Sequence, residues 1–438
     1  MQILDTFSVS NFKSFSAQTT IEVRPLTVLF GYNSAGKSSL LRTLPFLGDC
    51  FSYNGDSPMD LRSDAMRGAS FKNLVCHRGS GPSINFSLSW KGGAVKSIDF
   101  SVIELSDEKR IVVERLIITD FRDQRITFEW DLANAKLYPN RYLASIDDSR
   151  FWSVDLLFKG LSPELVQIPS ANEKEELPAA LREAMFLVEF ATRPFSRQMT
   201  WLKALRDVPP RWEVTRGPGI KIKPNGDGAV QLLAMDGLSG GKALSLVSSW
   251  YEEATGHTLV LRRGAFQEDE LLSVGLSRMG SAFSSALADT GEGMAQVFPI
   301  VAYLALFGLG DRERGGVLAV EHPELHLHPA AHGHLAGLFC DAARRGMVSS
   351  IVETHSENFL LRVQLEIAEG RLNPNVVALY WIGQDDGGAF ANKIEFDKLG
   401  RPVGDNWPPG VFSENIEQAR QLAAVRRRKS TAAHENNS

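Results

Sequence analysis

Residues 31–38 read GYNSAGKS and match the pattern G-x-x-x-x-G-K-[ST]. The apolar, partly β-branched run 26–30 precedes this segment and predicts a buried strand, and the helical pattern 39–44 follows it. A strand that feeds a glycine-rich loop at a helix N-terminus presents backbone N–H groups and the positive helix end to an anion. Lys37 would add a charge to the phosphates of a nucleoside triphosphate, and the Ser38 hydroxyl would ligate Mg²⁺. The residues expected to contact the nucleotide are Gly31, Asn33, Ser34, Ala35, Gly36, Lys37, Ser38 and Ser39.

The composition is that of a globular protein without a general preference for nucleic acid. The chain has 438 residues, of which 43% are hydrophobic and 23% are charged, and its formal net charge is −5. This length allows two or three domains, or one large domain with insertions. The weakly acidic charge provides no overall basic surface for nucleic acid. Three cysteines, far apart in sequence, indicate neither a disulfide framework nor a cysteine zinc site, and they are typical of a reducing compartment.

Neither a secretory leader nor a membrane anchor is expected. The first residues, MQILD, lack the basic and apolar regions of a signal peptide. The longest apolar run, 297–309, is shorter than the ~20 residues that a membrane-spanning helix needs. We therefore expect a cytoplasmic protein without a membrane partner.

The pattern changes twice after the phosphate-binding segment. Regularly spaced strand-like runs between 83 and 132, separated by turn residues, predict an antiparallel meander. Between 173 and 205 the spacing becomes helical and predicts a helix that faces the core. The apolar stripe of this helix consists of Leu177, Leu181, Met185, Leu187 and Phe190.

Two arginines follow this helix, beside aromatic residues and a Pro-Pro pair. Arg206 and Arg211 could contact phosphate or nucleic acid, whereas a solvated helix end is the favoured interpretation.

Two apolar runs in the second half of the chain lead directly to carboxylate and histidine side chains. Residues 316–321 predict a buried strand that ends at Glu321. Residues 348–352 predict another strand, followed by the letters ETHS, in which His355 could reach a γ-phosphate and Ser356 would be the N-cap of the next helix. A carboxylate at the end of a parallel strand beside a phosphate loop can hold the Mg²⁺ water shell or polarise the attacking water.

Five of the nine histidines fall between His322 and His334 and raise the question of a metal centre. A zinc site needs three or four ligands that converge on one point. His326 and His328 precede Pro329, a pattern typical of a turn into a helix. A metal-dependent hydrolase stays an alternative, but we expect no stoichiometric transition metal in protein purified without added metal.

Two glycine-rich segments are candidates for contacting a second anion. Residues 238–242, LSGGK, read like the signature loop of ABC ATPases but lie far from the 316–321 strand in sequence. Residues 289–296 fit better, because they open the apolar helix 297–309 that leads into this strand. A glycine-rich loop at a helix N-terminus is available to the γ-phosphate of a second molecule.

Together, these segments resemble the OLD-like and RecF/SMC-related ATPases of the ABC class. In chain order the similar segments are NFKSF at 11–15, GYNSAGKS at 31–38, GEGMAQ at 291–296, VEHPELHLHP at 320–329 and ETHSE at 353–357. Residues 205–211, LRDVPPR, and 407–412, WPPGVF, further resemble a bacterial branch with a C-terminal domain of unknown function.

The resemblance implies an α/β P-loop NTPase: an ABC-ATPase-like head with a mixed β-sheet, an antiparallel β subdomain and a helical insertion. The head would cover residues 1–382, including an antiparallel arm at 83–165 and a helical insertion at 170–215. A closing segment would cover 383–420, and a polar, basic tail 421–438.

The resemblance also implies that ATP is sandwiched between two heads. Lys13 and Ser14 would lie near the adenine end, His355 would be the switch histidine, and Glu321 would be the Walker B acid that helps Ser38 bind Mg²⁺. The signature loop acting on the second molecule would consist of Gly291, Gly293 and Gln296.

One position departs from the ABC pattern, in which a catalytic Glu directly follows the Walker B acid. His322 stands at that position in this chain. Glu324 is the candidate substitute, and the expected catalytic residues are Glu321, Glu324 and His355. We expect slow hydrolysis that needs two molecules, because an imidazole is taken to orient water less well than a carboxylate.

Three functions stay open at this point. The favoured one is a slow ATPase that gates a separately encoded effector protein, in bacterial defence against phages or plasmids. The second is a RecF-like, DNA-binding ATPase in repair, which salt-dependent DNA binding would favour. The third is the metal-dependent hydrolase. The expected partners are a second copy of the chain, in a dimer or larger oligomer, and the effector, with DNA as a further possibility.

Overall fold

The computed structural model describes residues 3–79, 81–167, 177–215, 221–267, 269–281, 283–309, 316–404 and 407–408. Its strands are, in chain order, β1 (Ile3–Ser10), β2 (Thr19–Glu22), β3 (Leu26–Gly31), β4 (Ile84–Lys91), β5 (Val95–Leu105), β6 (Arg110–Asp120), β7 (Arg125–Trp130), β8 (Arg141–Ile146), β9 (Phe151–Lys159), β10 (Ser162–Gln167), β11 (Met199–Leu202), β12 (Glu213–Val214), β13 (His257–Phe266), β14 (Asp269–Arg278), β15 (Ser284–Ala286), β16 (Gly316–Glu321), β17 (Val348–Glu353), β18 (Val377–Asp385), β19 (Gly388–Phe396) and β20 (Pro402–Val403). Its α-helices are α1 (Lys37–Ser52), α2 (Phe71–Leu74), α3 (Ala179–Gln198), α4 (Ala229–Leu238), α5 (Ala243–Thr255), α6 (Glu292–Tyr303), α7 (Pro329–Arg345) and α8 (Glu357–Ala368).

A mixed sheet forms the centre of the fold, with the strand order β11-β16-β17-β3-β18-β19-β20. The strands from β11 to β18 pair in parallel, and β19 and β20 are antiparallel to their neighbours. β3 is buried along its whole length, because it pairs with a strand on each side and both faces of the sheet are covered. The parallel arrangement brings the ends of β3, β16 and β17 to one edge, as expected for a ligand site in such sheets.

Alternate residues of the parallel strands supply two separate hydrophobic cores. Leu29 of β3 and Ile351 of β17 face the first core, which also contains α1, α3 and one side of the antiparallel sheet. Val28, Phe30 and Val352 face the second core, which is built with α4 to α8. This alternation follows from the two-residue period of a strand and explains why both runs are apolar throughout.

The predicted meander is present as an antiparallel sheet with the order β10-β9-β8-β7-β6-β5-β4-β1-β2. The expected arm at 83–165 is continuous with the N-terminal residues, because β4 pairs with β1. Phe7 and Val9 of β1 lie opposite Leu88 and Phe86 in this pairing, and all four side chains are buried. The predicted α/β fold with a mixed sheet and an antiparallel β subdomain is confirmed.

The helix expected between 173 and 205 is α3, and its buried face differs from the predicted stripe. Buried positions recur with spacings of three and four residues, whereas Phe190 is 57% exposed. Small residues complete the buried face, and a prediction that considers only large apolar residues does not include them. The buried residues of α3 are Leu181, Ala184, Val188, Ala191, Thr192 and Phe195. Residues 170–176 of the expected insertion lie outside the described residues.

The expected boundary at 382/383 falls within β18, which pairs along its length with β3 and β19. Residues 383–403 therefore belong to the mixed sheet. Trp407 extends this packing, since its ring centroid lies 6.0 Å from that of Phe30. The rest of the closing segment from 409 and the tail at 421–438 lie outside the described residues.

α6 continues as a π-helical segment, Leu304–Leu309. By length and composition, Glu292–Leu309 could cross a membrane, and 78% of it is buried inside the fold. The helical segment Glu292–Leu309 is thus longer than the apolar run 297–309 seen in the sequence. Its apolar side chains pack within the second core.

Candidate nucleotide-binding and catalytic site

The predicted phosphate loop connects the end of β3 to the start of α1. Gly31 has φ = 148°, and a Cβ on it would lie 2.1 Å from the carbonyl oxygen of Ile382 on β18. Gly36 has φ = 107° and packs against Phe15 and the Ser14 hydroxyl. The loop can therefore pass this close to β18 only with glycine at its first position.

Lys37 lies buried at the mouth of this loop. Its Nζ donates hydrogen bonds to the carbonyl oxygens of Gly31, at 3.0 Å, and Tyr32, at 2.7 Å. Burial lowers the pKa of Lys37, and the charge of Glu353 acts in the opposite direction. The ammonium group is held by neutral carbonyls, so phosphate oxygens would be stronger partners for it.

Ser14 lies next to the glycine turn of the loop, since a Cβ on Gly36 would lie 3.2 Å from its hydroxyl, and Lys13 precedes it in sequence. The Ser14 carbonyl oxygen accepts a hydrogen bond from Ala389 N at 2.7 Å, and Lys13 N donates to Leu74 O at 2.6 Å. Burial lowers the pKa of Lys13, and the positive charges of Arg42 and Arg67 lower it further. The structure thus brings Ser14 to the phosphate loop, and the place of both residues near an adenine stays a prediction.

Ser38 faces a carboxylate that the sequence did not single out. Its Oγ donates a 2.7 Å hydrogen bond to Oε1 of Glu353, the last residue of β17. Glu353 is 2% exposed, and its Oε2 has no hydrogen-bond partner within the described chain. Burial raises the pKa of this carboxyl group. A buried, under-satisfied carboxylate beside the Ser38 hydroxyl fits the oxygen ligands that Mg²⁺ takes.

Glu321, the expected Mg²⁺ carboxylate, has different partners. Both of its oxygens pair with the Arg42 guanidinium, which lies one turn beyond Ser38 on α1. Trp201 also donates its Nε1–H to Glu321 Oε1 at 3.1 Å. The two charged residues are 1% and 4% exposed. The structure therefore places Glu321, which was expected to hold Mg²⁺ with Ser38, in a buried ion pair with Arg42.

Glu324 and His355 meet where β17 leads into α8. Glu324 Oε1 accepts hydrogen bonds from the Thr354 hydroxyl, at 2.8 Å, and from His355 N, at 3.0 Å. Its Oε2 is buried and has no hydrogen-bond partner within the described chain. Ser356 caps α8 as its pattern predicted, by accepting from Phe359 N at 3.1 Å. Glu324 is thus held at the same edge as Glu353 with one oxygen free.

His355 is stacked on His322. The two rings lie 5.2 Å apart, centroid to centroid, at an angle of 11°. Burial, followed by the charges of Lys37 and His322, lowers the pKa of His355 to about 4. His355 is therefore a neutral imidazole near pH 7, which can donate to a phosphate oxygen without carrying a charge of its own.

The glycine-rich segment GEGMAQ begins α6, as predicted, with Gly291 at the N-cap. Gly291 and Glu292 are exposed, but Gly293 is buried, and a Cβ on it would lie 2.2 Å from His326 O. Gln296 is 3% exposed, and its Oε1 accepts from Arg206 N at 3.3 Å. The Gln296 side chain is thus used inside its own chain, and its contact with a second molecule stays a prediction.

Arg206 is buried, which contradicts the interpretation as a solvated helix end. Its guanidinium donates to the carbonyl oxygens of Gln296 at 2.6 Å, Lys203 at 2.9 Å and Glu321 at 3.1 Å. Burial lowers its pKa to about 10. Arg206 therefore connects α6 to the end of β16. Arg211 is exposed as expected and pairs with Asp289.

The histidine-rich turn has structural partners. His328 caps α7 by accepting from Ala330 N at 3.3 Å, and His332 lies 2.8 Å from the Ser356 hydroxyl. Within the described ranges, no three His, Cys, Asp or Glu side chains are grouped as metal ligands. The turn into a helix is as predicted.

A family model described as "AAA domain, putative AbiEii toxin, Type IV TA system" matches residues 258–362. The matched segment contains Glu321, Glu324, Glu353 and His355, and the phosphate loop lies outside it. A comparison with curated proteins gives no match. The family match supports an AAA/ABC-type ATPase.

Several SMC head structures are similar to the chain. An SMC head bound to the C-terminal winged-helix domain of ScpA has 11% identity and a TM-score of 0.46, covering 90% of this chain and 98% of its own. The Pyrococcus furiosus SMC head, bound to the ScpA C-terminal domain, has 10% identity and a TM-score of 0.45, with coverages of 98% and 100%. The Thermotoga maritima SMC head domain has 10% identity and a TM-score of 0.38, with coverages of 90% and 99%.

The buried ion pair predicts a large stability cost when one partner is lost. Arg42→Met leaves the Glu321 carboxylate buried without its cation and should lower the free energy of unfolding by about 3–5 kcal/mol. Equilibrium urea unfolding measures this change. Adding Glu321→Gln should recover part of the loss, and Arg193→Met, which breaks an exposed pair with Glu189, should cost less than about 1 kcal/mol. Wild-type stability in Arg42→Met would contradict the pairing.

The lowered pKa of His355 predicts a pH dependence of stability. Between pH 6.5 and about 4 the unfolded chain binds a proton on His355 and the folded chain does not. This residue therefore makes the free energy of unfolding fall as the pH drops through that window. His355→Gln should lose less stability than the wild type between pH 7.5 and 5, measured by urea unfolding. His334→Gln, at an exposed position of α7, is the control and should follow the wild type.

Proposed function

We propose that this chain binds ATP with Mg²⁺ at residues 31–38 and hydrolyses it slowly, in a site completed by a second copy. The observation that carries the proposal is the contact of Ser38 Oγ with the buried Glu353 carboxylate at the mouth of the phosphate loop. Ser38 and Glu353 would hold Mg²⁺ there, and the unpartnered Oε2 of Glu353 supports this assignment. When bound, Mg²⁺ would supply positive charge against the phosphate oxygens.

Three residues of the chain bind the phosphates and orient the attacking water. Lys37 exchanges its two carbonyl partners for phosphate oxygens and neutralises their charge. Glu324 orients the attacking water with its free Oε2, and the neutral His355 donates to the γ-phosphate. Turnover is slow because His322 stands where the ABC class places its catalytic carboxylate, and an imidazole is taken to orient water less well.

A second copy supplies the signature contact. Gly291 and Glu292 lie exposed at the N-terminus of the twelve-residue helix α6, whose backbone N–H groups can meet a γ-phosphate. Arg206 joins this helix to the end of β16 through Gln296 O and Glu321 O. Contact with the partner's nucleotide can therefore be transmitted to the catalytic edge through one buried side chain.

The cellular role that we propose is ATP-dependent control of a separately encoded effector in defence against phages or plasmids. The matched family's description names a toxin of a type IV toxin–antitoxin system, which supports a role of this kind. Co-purification with an effector, in a manner that depends on ATP, would test the role independently of the ATPase.

The nucleotide site predicts that Glu353, more than Glu321, controls Mg²⁺-dependent binding. Glu353→Gln should weaken ATP binding in Mg²⁺ by about 10–100-fold and leave binding in EDTA unchanged, measured by calorimetry. Lys37→Ala should weaken binding in both conditions and abolish turnover. Glu321→Gln is the matched control at the neighbouring strand end. Equal Mg²⁺ dependence in Glu353→Gln and the wild type would reject the assignment.

The second-copy contact predicts complementation between two inactive variants. Gly291→Asp places a negative charge on the exposed loop and should block turnover but not ATP binding. Gly293→Asp is unsuitable because its Cβ would collide with His326 O in the same chain. Mixing Gly291→Asp with Lys37→Ala should restore activity, because one composite site in the mixed dimer has both halves intact. Mixing two preparations of Lys37→Ala is the control.

Full specific activity of a monomer at high dilution, together with an active Gly291→Asp variant, would show that hydrolysis needs only one chain. With the composite site, turnover should rise more than linearly with protein concentration while dimers are scarce.

A further inference from the structure

Three side chains of different chemistry meet at the mouth of the phosphate loop. Glu353 Oε1 lies 2.7 Å from Ser38 Oγ and 3.6 Å from His322 Nε2. Glu353 is 2% exposed, and its other carboxylate oxygen is buried without a hydrogen-bond partner within the described residues. A hydroxyl and an imidazole nitrogen thus both approach the Oε1 atom of one buried carboxylate, whose Oε2 has no hydrogen-bond partner among the described residues.

His322 is held in this position by its backbone. Its φ is 41°, a left-handed conformation that is unfavourable for a residue with a Cβ. The His322 N–H donates to Glu353 O at 2.8 Å, and the β16–β17 register places Glu321 opposite Glu353. The ring is stacked on His355 and its side chain is 24% exposed. The backbone hydrogen bond and the stacking on His355 therefore orient the imidazole in the absence of a ligand.

We propose that Ser38, Glu353 and His322 form a mixed oxygen–nitrogen cation site that binds a transition-metal ion such as Mn²⁺ or Co²⁺ more tightly than Mg²⁺. The proposal rests on the proposed function and names the metal class of that same site. Mg²⁺ takes oxygen ligands and retains its waters, whereas an imidazole nitrogen contributes more to the binding of first-row transition ions. His322 stands where the ABC class has a carboxylate. This difference changes the metal ion that the site prefers, and it also changes the group that orients water.

This site differs from the histidine-rich turn. His326 lies beside Glu292, His328 caps α7, and His332 contacts the Ser356 hydroxyl. Among the described residues, none of these three histidines forms a hydrogen bond or an ion pair with Glu353. His322 is the histidine of this segment that reaches the carboxylate beside Ser38.

The test uses the full-length protein with a non-hydrolysable ATP analogue and Mn²⁺ as the probe. Pulsed electron paramagnetic resonance of the bound Mn²⁺ should show coupling to an imidazole nitrogen. In competition, Mg²⁺ should displace Mn²⁺ only at about tenfold or greater excess. His322→Gln should remove the nitrogen coupling and lower the Mn²⁺-to-Mg²⁺ affinity ratio by about tenfold or more. His334→Gln is the control and should keep both properties.

Mn²⁺ bound without imidazole coupling in the wild type, or coupling that persists in His322→Gln, would overturn the proposal. The wild-type spectrum and competition decide the matter even where a variant folds poorly. If Mn²⁺ and Mg²⁺ support nucleotide binding equally, this inference fails and the ATP site stands. If the analogue binds with neither metal, the proposed function fails as well.

Discussion

The burial of three carboxylates at one edge of the mixed sheet is the constraint on which the site depends. Glu321, Glu324 and Glu353 are 1%, 9% and 2% exposed. Buried carboxylates are unfavourable unless cations or hydrogen-bond donors compensate them. The fold compensates each in its own way: Glu321 with the Arg42 guanidinium, and Glu324 with a hydroxyl and a backbone N–H. Among the described residues, Glu353 accepts a hydrogen bond from the Ser38 hydroxyl at 2.7 Å, and its second oxygen has no hydrogen-bond partner.

This unequal compensation assigns the roles. A carboxylate already paired with an arginine has little attraction left for a cation, whereas one that lacks a partner is where a cation is stabilised most. In the proposed function, metal binding, nucleotide binding and stability would therefore be linked through the same edge. Arg206 extends the link to α6, because its guanidinium joins Gln296 O to Glu321 O. In the proposed function, a change at the exposed Gly291 end of α6 would reach the end of β16 through this side chain.

Local patterns predicted the elements that carry the site. The strand, glycine loop and helix at 26–44, the strands ending near Glu321 and Glu353, the Ser356 cap and the α6 start all depend on neighbours in sequence. Each is specified by a few residues with a known turn, cap or periodicity, and each is present in the structure. The α3 stripe was only partly right, because small buried residues such as Ala184 and Ala191 carry no signal in a count of large apolar side chains.

What only the tertiary structure decided is which charged groups meet. Ser38 and Glu353 are 315 residues apart, and Arg42 and Glu321 are 279 apart. The two carboxylates end neighbouring strands in similar sequence settings, so the packing of α1 over these strand ends selects between them. The same reason applies to Arg206, whose burial depends on carbonyl groups from distant elements. The sequence alone determined a phosphate loop and acidic strand ends; long-range packing determined which acid pairs with Arg42 and which lies beside Ser38.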